Sequence, residues 1–258
     1  MRLGGRVYTG GMNRVRKKIV LEEMYGRMME RFGPQEWWPG ETAVEVMVGA
    51  VLTQNTAWVN VEKAIGRLKA EGVLEAGKLH GLGAKGIAPL IRPAGYFNLK
   101  AQRLWNLLDW FVGKYGASFE RLEGVATAAL REELLGVTGV GPETADAILL
   151  YALGRDVFVV DAYTRRIFSR HGLAKDDATY EELKALAEEH IERDRQMYNE
   201  YHALLVMVGK HYCKPVPRCA ECPLRVMLPK GSPLLKARED AGRMTNDAMT
   251  NDAMTNDQ

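Results

Sequence analysis

Apolar residues recur at helical spacing along most of the chain. Between Lys18 and Phe32, Val20, Leu21, Met24, Met28 and Met29 keep that period, and the run stops at the breaker pair Gly33-Pro34. From Thr42 to Thr53 nearly every side is apolar (Val44, Val46, Met47, Val48, Val51, Leu52), the pattern of a helix in the centre of a core. Thr56 reads as the N-cap of a helix through Lys69. Asn98 reads as the N-cap of one running to Lys114, with Leu104, Leu107, Leu108 and Phe111 on one face. Leu74 to Ile91 reads as short helices punctuated by glycine. Val125 to Leu135 and Pro142 to Leu153 are two helices joined by a Gly-rich turn, and Thr164 to Arg170, Tyr180 to Ile191 and Asp194 to Tyr212 complete the set. The best strand candidate, Val157-Phe158-Val159-Val160, fits a buried connector equally well. The pattern predicts an all-α fold.

The chain ends in MTNDAMTNDAMTNDQ, a pentad repeat without an apolar period, so residues 232–258 are expected to form a disordered tail and residues 1–17 a basic, flexible N-terminus. Between them, 18–231 has the size of one large helical domain or two small ones sharing a core. The 258 residues are 47% hydrophobic and 26% charged, which excludes wholesale disorder and disulfide scaffolds. No apolar run reaches the ~18 residues of a membrane span, and the basic N-terminus lacks the apolar run of a signal peptide. A cytoplasmic location is expected. Net charge is only +2, but the first eighteen residues carry Arg2, Arg6, Arg14, Arg16, Lys17 and Lys18 with no acid, while the last fifteen hold three Asp and no base. Such a balance permits an anionic partner without requiring one.

Two segments carry candidate chemistry. In Leu134-Leu135-Gly136-Val137-Thr138-Gly139-Val140-Gly141-Pro142-Glu143-Thr144-Ala145 a helix ends, a turn follows, and Pro142 opens the next helix, where its missing N–H costs nothing. Gly139 and Gly141 allow a tight turn and a close approach of backbone to a ligand, and the first amides of the second helix form an anion pocket suited to a DNA phosphate. A plain helix–helix turn would leave the same trace, but the apolar Leu135, Val137, Val140 and Ile148 sharpen it into a helix–hairpin–helix. About twenty residues on, Asp161 follows Val157-Phe158-Val159-Val160 directly. A carboxylate there is a helix N-cap, a functional acid, or both.

The hairpin followed by Val159-Val160-Asp161 resembles the helix–hairpin–helix DNA glycosylases of the endonuclease III superfamily. Val51-Leu52-Thr53-Gln54-Asn55-Thr56 resembles that family's duplex-probing segment. Gly95-Tyr96-Phe97-Asn98-Leu99-Lys100-Ala101 resembles its G-x-Y-N-x-K-A helix start, and Val208-Gly209-Lys210-His211-Tyr212-Cys213 the lead-in to its iron–sulfur loop. The likeness spans Lys18 to Pro229. It implies two helical subdomains with a DNA-binding cleft between them, followed by a cysteine loop at 213–229. It also implies excision of a base flipped out of double-stranded DNA by a monomeric, nucleoid-associated enzyme. By this resemblance Gly139, Gly141 and Thr144 hold a phosphate, Gln54, beside Asn55, fills the gap left by the base, and Asp161 stabilises the oxocarbenium-like sugar or activates water.

The departures from the family pattern narrow the subclass. Bifunctional glycosylase/lyases carry a Lys at the position held here by Glu143, and a carboxylate cannot form a Schiff base. A monofunctional enzyme with weak or absent lyase activity is expected. The adenine-specific branch has a Glu where this chain has Ala50. Trp37-Trp38-Pro39, with V-L-T-Q-N-T and G-P-E-T-A-D-A-I-L-L-Y-A, is similar to the bacterial 3-methyladenine DNA glycosylase III type. Paired indoles suit a flat cationic base such as an N3-alkylated adenine, whose attraction to an aromatic face is worth ~0.5–2 kcal/mol. Trp37 and Trp38 are therefore pocket candidates, with packing as the alternative, and Lys210 is either a pocket residue or a solvated helix end.

Cys213, Cys219 and Cys222 are the three cysteines of the chain, at C-x5-C-x2-C spacing, which points to a metal or iron–sulfur site in a reducing compartment. The family's fourth cysteine falls on Leu228, which cannot ligate iron. A cluster on three cysteines (4Fe–4S with a non-protein or distant fourth ligand, or a 3Fe–4S form) and a lost cluster both remain open, the first being favoured. Two other functions are kept in view: an endonuclease III-like glycosylase/lyase on oxidised pyrimidines or mismatches, and a catalytically silent DNA-binding module.

Overall fold

An asparagine cap extends the first amphipathic period four residues towards the N-terminus. Asn13 accepts from the Arg16 amide at 3.0 Å, and α1 runs Arg14–Phe32, burying Leu21, Met24 and Met28. The computed structural model describes residues 13–35, 37, 40–230 and 232. Trp38, Arg2, Arg6 and the pentad repeat lie outside the described residues. Among the described residues every regular element is helical: α2 (Ala43–Leu52), α3 (Trp58–Ala70), α4 (Ala76–Leu90), α5 (Phe97–Tyr115), α6 (Glu120–Glu123), α7 (Thr127–Gly136), α8 (Pro142–Ala147), α9 (Ala162–Arg170), α10 (Tyr180–His190) and α11 (Arg195–His211). The all-α expectation holds. No described helix is long and apolar enough to cross a membrane.

The chain divides into two compact units. One draws on Met1–Pro34, Ala162–Ala178 and Leu204–Gln258, and the other on Gln35–Asp161 and Thr179–Ala203. In the second unit α2 is the core helix that its all-round apolar pattern predicts, with eight of its ten residues buried. Thr42 caps it, accepting from the Glu45 amide at 3.1 Å. In the first unit α1 is tied to the end of α11, where Arg31 donates to the Tyr212 hydroxyl at 2.8 Å and Phe32 packs beside His211 and Tyr212. The Tyr163 ring lies directly on α11, and a Cβ at Gly209 would come within 2.1 Å of it, so no larger residue fits there.

Two expected caps fail, the first for a tertiary reason. α3 starts at Trp58 with Ala57 before it, and α5 starts at Phe97 after Tyr96, placing Asn98 inside the first turn. The Thr56 hydroxyl is engaged elsewhere, donating to the Ala94 carbonyl at 2.7 Å and accepting from Lys100 Nζ. Lys100 is 2% exposed and also donates to the Leu52 and Ala94 carbonyls, each at 2.8 Å. Burial, with the nearby Arg103 charge, pulls its pKa down to about 8. A buried lysine with three acceptors clamps the loop from Thr53 to Thr56 onto the start of α5.

The segment Val157–Val160 is a buried connector, without strand pairing. Its amides are taken by side chains: Phe158 N–H donates to Glu188 at 3.0 Å and Val160 N–H to the Tyr180 hydroxyl at 3.4 Å. Phe158 fills the core against Tyr198 and Tyr201. This fixes the backbone that presents Asp161.

Candidate active site

The hairpin between α7 and α8 is built on Gly139, whose φ of 99° lies in a region L side chains avoid. A Cβ there would stand 2.2 Å from Arg103 Cγ, so Gly139 serves both a turn and a close approach. Val137, Val140 and Ile148 are buried beneath the hairpin, whereas Leu135 is exposed. Gly141 caps α8 with no side-chain partner for the first amides, and Pro142 occupies the first turn. α8 then continues into a π-helical turn, Ile148–Ala152, which carries Tyr151.

The probe segment and the hairpin meet. Gln54 Nε2 donates to the Gly139 carbonyl at 3.1 Å and to Thr144 Oγ1 at 3.0 Å, and Arg103 Nη1 donates to Gln54 Oε1 at 2.6 Å. The side-chain amide expected to enter a duplex is thus engaged on both ends, its nitrogen by the hairpin and Thr144, its oxygen by Arg103 of α5. Asn55, next to it, is exposed and held at a φ of 52°. Thr144 is buried, leaving the backbone of this turn, not its hydroxyl, open to a ligand.

Asp161 shares its unit with Glu143, Tyr151 and His202. His202 Nε2 faces Asp161 Oδ2 at 3.7 Å, with the two side chains 8% and 13% exposed. Behind the imidazole, the Tyr151 hydroxyl stands 2.5 Å from His202 Nδ1. Burial, reinforced by the Asp161 charge, pushes the Tyr151 hydroxyl well above its ordinary value, so it stays protonated. Glu143 keeps an exposed surface, yet protein atoms crowd its carboxyl. That desolvation, together with the charge of Asp161 and partly offset by His202, pushes its pKa up to about 7.

A third carboxylate is tied to the backbone that presents Asp161. Asp146 is fully buried on α8, where Arg131 Nε donates to it at 2.7 Å and the Tyr180 hydroxyl at 2.9 Å. Because that hydroxyl oxygen also accepts from Val160 N–H, the Arg131–Asp146–Tyr180 chain reaches the residue before Asp161. Sequence reading missed Asp146, Arg131, Tyr151 and His202. An Asp inside the apolar stretch T-A-D-A-I-L-L was the one signal available for the first of these.

Of the pocket candidates, Trp37 is half-buried, and Lys210 is exposed in the last turn of α11, in the unit that does not hold Asp161. That unit also holds the cysteines. Cys213, Cys219 and Cys222 line a single cavity of about 10 Å³ together with His171, Arg170, Arg225 and Leu228. Arg170 Nη1 donates to Cys213 Sγ at 3.3 Å and to the Lys214 carbonyl at 2.7 Å. Burial raises the Cys219 thiol and pushes the Cys222 thiol up to about 11. His171 is buried, and its Nδ1 has no hydrogen-bond partner. Among the described residues no three His, Cys, Asp or Glu side chains converge on a point suited to one metal ion.

Known proteins resemble this chain in sequence and fold. The chain is 47% identical over 207 residues to a candidate DNA repair glycosylase of Methanocaldococcus jannaschii, covering 80% of this chain and 94% of that one. It is 30% identical over 211 residues to endonuclease III of Thermotoga maritima, covering 80% and 91% respectively. The structure of the Helicobacter pylori 3-methyladenine DNA glycosylase bound to 1,N6-ethenoadenine superposes with a TM-score of 0.64 at 31% identity, over 75% of this chain and 97% of that one. A non-covalent endonuclease III–DNA complex gives a TM-score of 0.71 at 22% identity, over 87% and 99%, a likeness of fold. Residues 48–193, which include the probe segment, the hairpin and Asp161, match the family model described as HhH-GPD superfamily base excision DNA repair protein, and the chain belongs to that family.

Proposed function

We propose that this glycosylase is monofunctional and hydrolyses the N-glycosidic bond of an alkylated purine flipped out of double-stranded DNA. The carrying observation is the pair of carboxylates with different environments, Asp161 faced by His202, and Glu143 raised to about 7 in the place where lyases hold an amine. Asp161, as the anion, stabilises positive charge growing on the sugar as the C1′–N bond breaks and the base leaves with the bonding electrons. Water adds to C1′ and passes its proton to Glu143, a base poised near neutral pH. The base needs no acid, because an N3-alkylated adenine is cationic in the nucleoside and leaves neutral. The Helicobacter neighbour, solved with an ethenoadenine, supports the purine class. The amides at Gly139 and Gly141 hold a phosphate, Gln54 and Asn55 face the duplex, and Trp37, Trp38 and Lys210 are assigned to the base side.

The cysteine loop is assigned an iron–sulfur cluster on Cys213, Cys219 and Cys222, with Nδ1 of buried His171 on the same cavity wall as the fourth donor in place of Leu228, and the cavity, with room for about one water, opens to admit it. A cluster spaces its ligands across several iron atoms, so the thiols need not converge on one point. It would serve structure, ordering Lys214, Arg218 and Arg225 against phosphates.

The test is incubation with methylated duplex DNA followed by hot alkali. Breaks that appear only after alkali, and vanish in Asp161→Asn, support the reading. An efficient borohydride-trapped adduct on abasic DNA overturns the monofunctional assignment. A second reading, action on oxidised pyrimidines, draws on the Thermotoga relative, and release from such a duplex but not from methylated DNA would establish it.

A further inference from the structure

We propose that His202 is the positioning residue of Asp161: its ring, fixed from behind by Tyr151, presents Nε2–H to the carboxylate and keeps it anionic and oriented during base release. This rests on the reading of Asp161 as the charge-stabilising group.

The argument starts from proton placement. The Tyr151 hydroxyl stands 2.5 Å from His202 Nδ1, and in the proposed arrangement Tyr151 donates and Nδ1 accepts. With Nδ1 accepting, the proton of the ring sits on Nε2. That nitrogen is buried, has no hydrogen-bond partner, and looks onto Asp161 Oδ2 at 3.7 Å. A buried donor without a partner is costly, and a carboxylate just beyond bonding range is its natural acceptor. Such contacts commonly close when substrate excludes water. The three groups come from separate places in the chain: Tyr151 from the π-helical turn, Asp161 from the end of the Val157–Val160 connector, and His202 from α11. All three belong to one compact unit.

The consequence is a division of labour between the two acids. Asp161, Tyr151, Glu143 and His202 are gathered here, with Tyr180 feeling the Glu143 charge and bonding the Val160 amide, and two carboxylates that feel each other do not both ionise freely. With an N–H directed at Asp161 and none from His202 hydrogen-bonded to Glu143, Glu143 is the carboxyl that keeps its proton to the higher pH, and it serves as base once that proton is lost. The imidazole therefore works as a donor that sorts the proton, the reverse of its part as a base in a Ser-His-Asp triad.

The experiment compares single-turnover release of base from methylated duplex DNA across pH in the wild type, Asp161→Asn, His202→Leu, His202→Gln and Tyr151→Phe. Long-range ¹⁵N spectra of the His202 ring and binding to a duplex with a reduced abasic site are measured alongside. Expected are the Nε2–H tautomer, a rate about 100-fold lower in His202→Leu with the acidic limb moved to higher pH, and recovery to within about tenfold in His202→Gln, which again offers an N–H. DNA affinity stays within about twofold throughout, and Tyr151→Phe shifts the limb in the same direction by less. An Nδ1–H tautomer, or a wild-type rate and pH profile in His202→Leu while Asp161→Asn is inactive, overturns the proposal alone. Wild-type release by Asp161→Asn overturns the underlying reading as well. If His202→Leu does not fold, the Tyr151→Phe profile and the tautomer decide.

Discussion

Gln54 Nε2 donates to the carbonyl of Gly139 at 3.1 Å, joining the loop after α2 to the hairpin across 85 positions of sequence. Both ends of the amide are used, since Arg103 grips Gln54 Oε1 at 2.6 Å. For this side chain to enter a duplex, those bonds must be exchanged for bonds to DNA. Gln54→Ala therefore removes a contact from the free protein and a probe from the complex. Thermal stability is expected to fall by about 1 kcal/mol, while affinity for a duplex containing an abasic-site analogue falls about tenfold. Melting curves and fluorescence anisotropy separate the two effects.

Gly139 carries two constraints, a positive φ and the Arg103 side chain against its α-carbon. Gly139→Ala is expected to cost about 2–4 kcal/mol, combining backbone strain with overlap. Shortening Arg103 to Ala in the same chain should restore only the overlap part. Denaturant melts of both variants measure that share, and full recovery in the double variant would show that the backbone strain contributes nothing.

The helix periods, the hairpin and the acid after Val160 were legible in the sequence because each is a local signal. Gly-Val-Gly-Pro states its own turn chemistry, and an apolar run ending in Asp marks a boundary wherever it lies. The cap at Thr56 was misread because a residue 44 positions away, Lys100, takes the threonine hydroxyl into a buried clamp. Tyr151 and His202 carried no local signal at all, since their meaning depends on a contact between residues 51 apart. Val157–Val160 was ambiguous for a related reason. Four apolar residues do not reveal whether strand neighbours or, as here, Glu188 and Tyr180 will take their amides.

Asp146 is a buried carboxylate whose pKa is raised, first by desolvation and against the pull of Arg131. Removing the partner leaves that charge unpaired, so Arg131→Met is expected to lose about 3–5 kcal/mol near neutral pH. The raised value sets the sign of the pH dependence. The folded form holds a proton more tightly than the unfolded form, so stability falls as pH rises from the ordinary carboxylate value through the folded one. Arg131→Met should steepen that fall, and urea melts at several pH values will show whether the variant is least damaged in acid.

Glu143 obeys the same rule with a further effect on rate. Its pKa of about 7 means that its contribution to stability is present below the ordinary carboxylate range and lost as pH rises through about 7. As the base for water it is competent only when ionised, so base release should rise across that same interval. Glu143→Gln is expected to flatten the limb and lower the rate about 100-fold or more, without creating any borohydride-trapped adduct. A Glu143→Gln enzyme with an unchanged pH–rate profile would remove this carboxylate from the chemistry.

The cysteine loop is the place where composition and family pattern disagree most, and iron content tests it directly. Three thiols and the His171 imidazole line one cavity, and Arg170 already donates to Cys213 Sγ, the kind of hydrogen bond to sulfur that tunes clusters. Purified protein is therefore expected to contain iron and inorganic sulfide and to absorb in the visible range. Cys219→Ser and His171→Ala should each lose colour and iron. The basic residues of the loop are the reason to look beyond colour. If the cluster orders Lys214, Arg218 and Arg225 against phosphates, its loss should lower DNA affinity and flatten the dependence of that affinity on salt, since fewer counterions are released. Base release at saturating DNA should change little, because Asp161, Glu143 and His202 belong to the other unit. A colourless protein without iron, whose Cys219→Ser variant binds DNA with the wild-type salt slope, would mean that this loop folds and works as plain polypeptide.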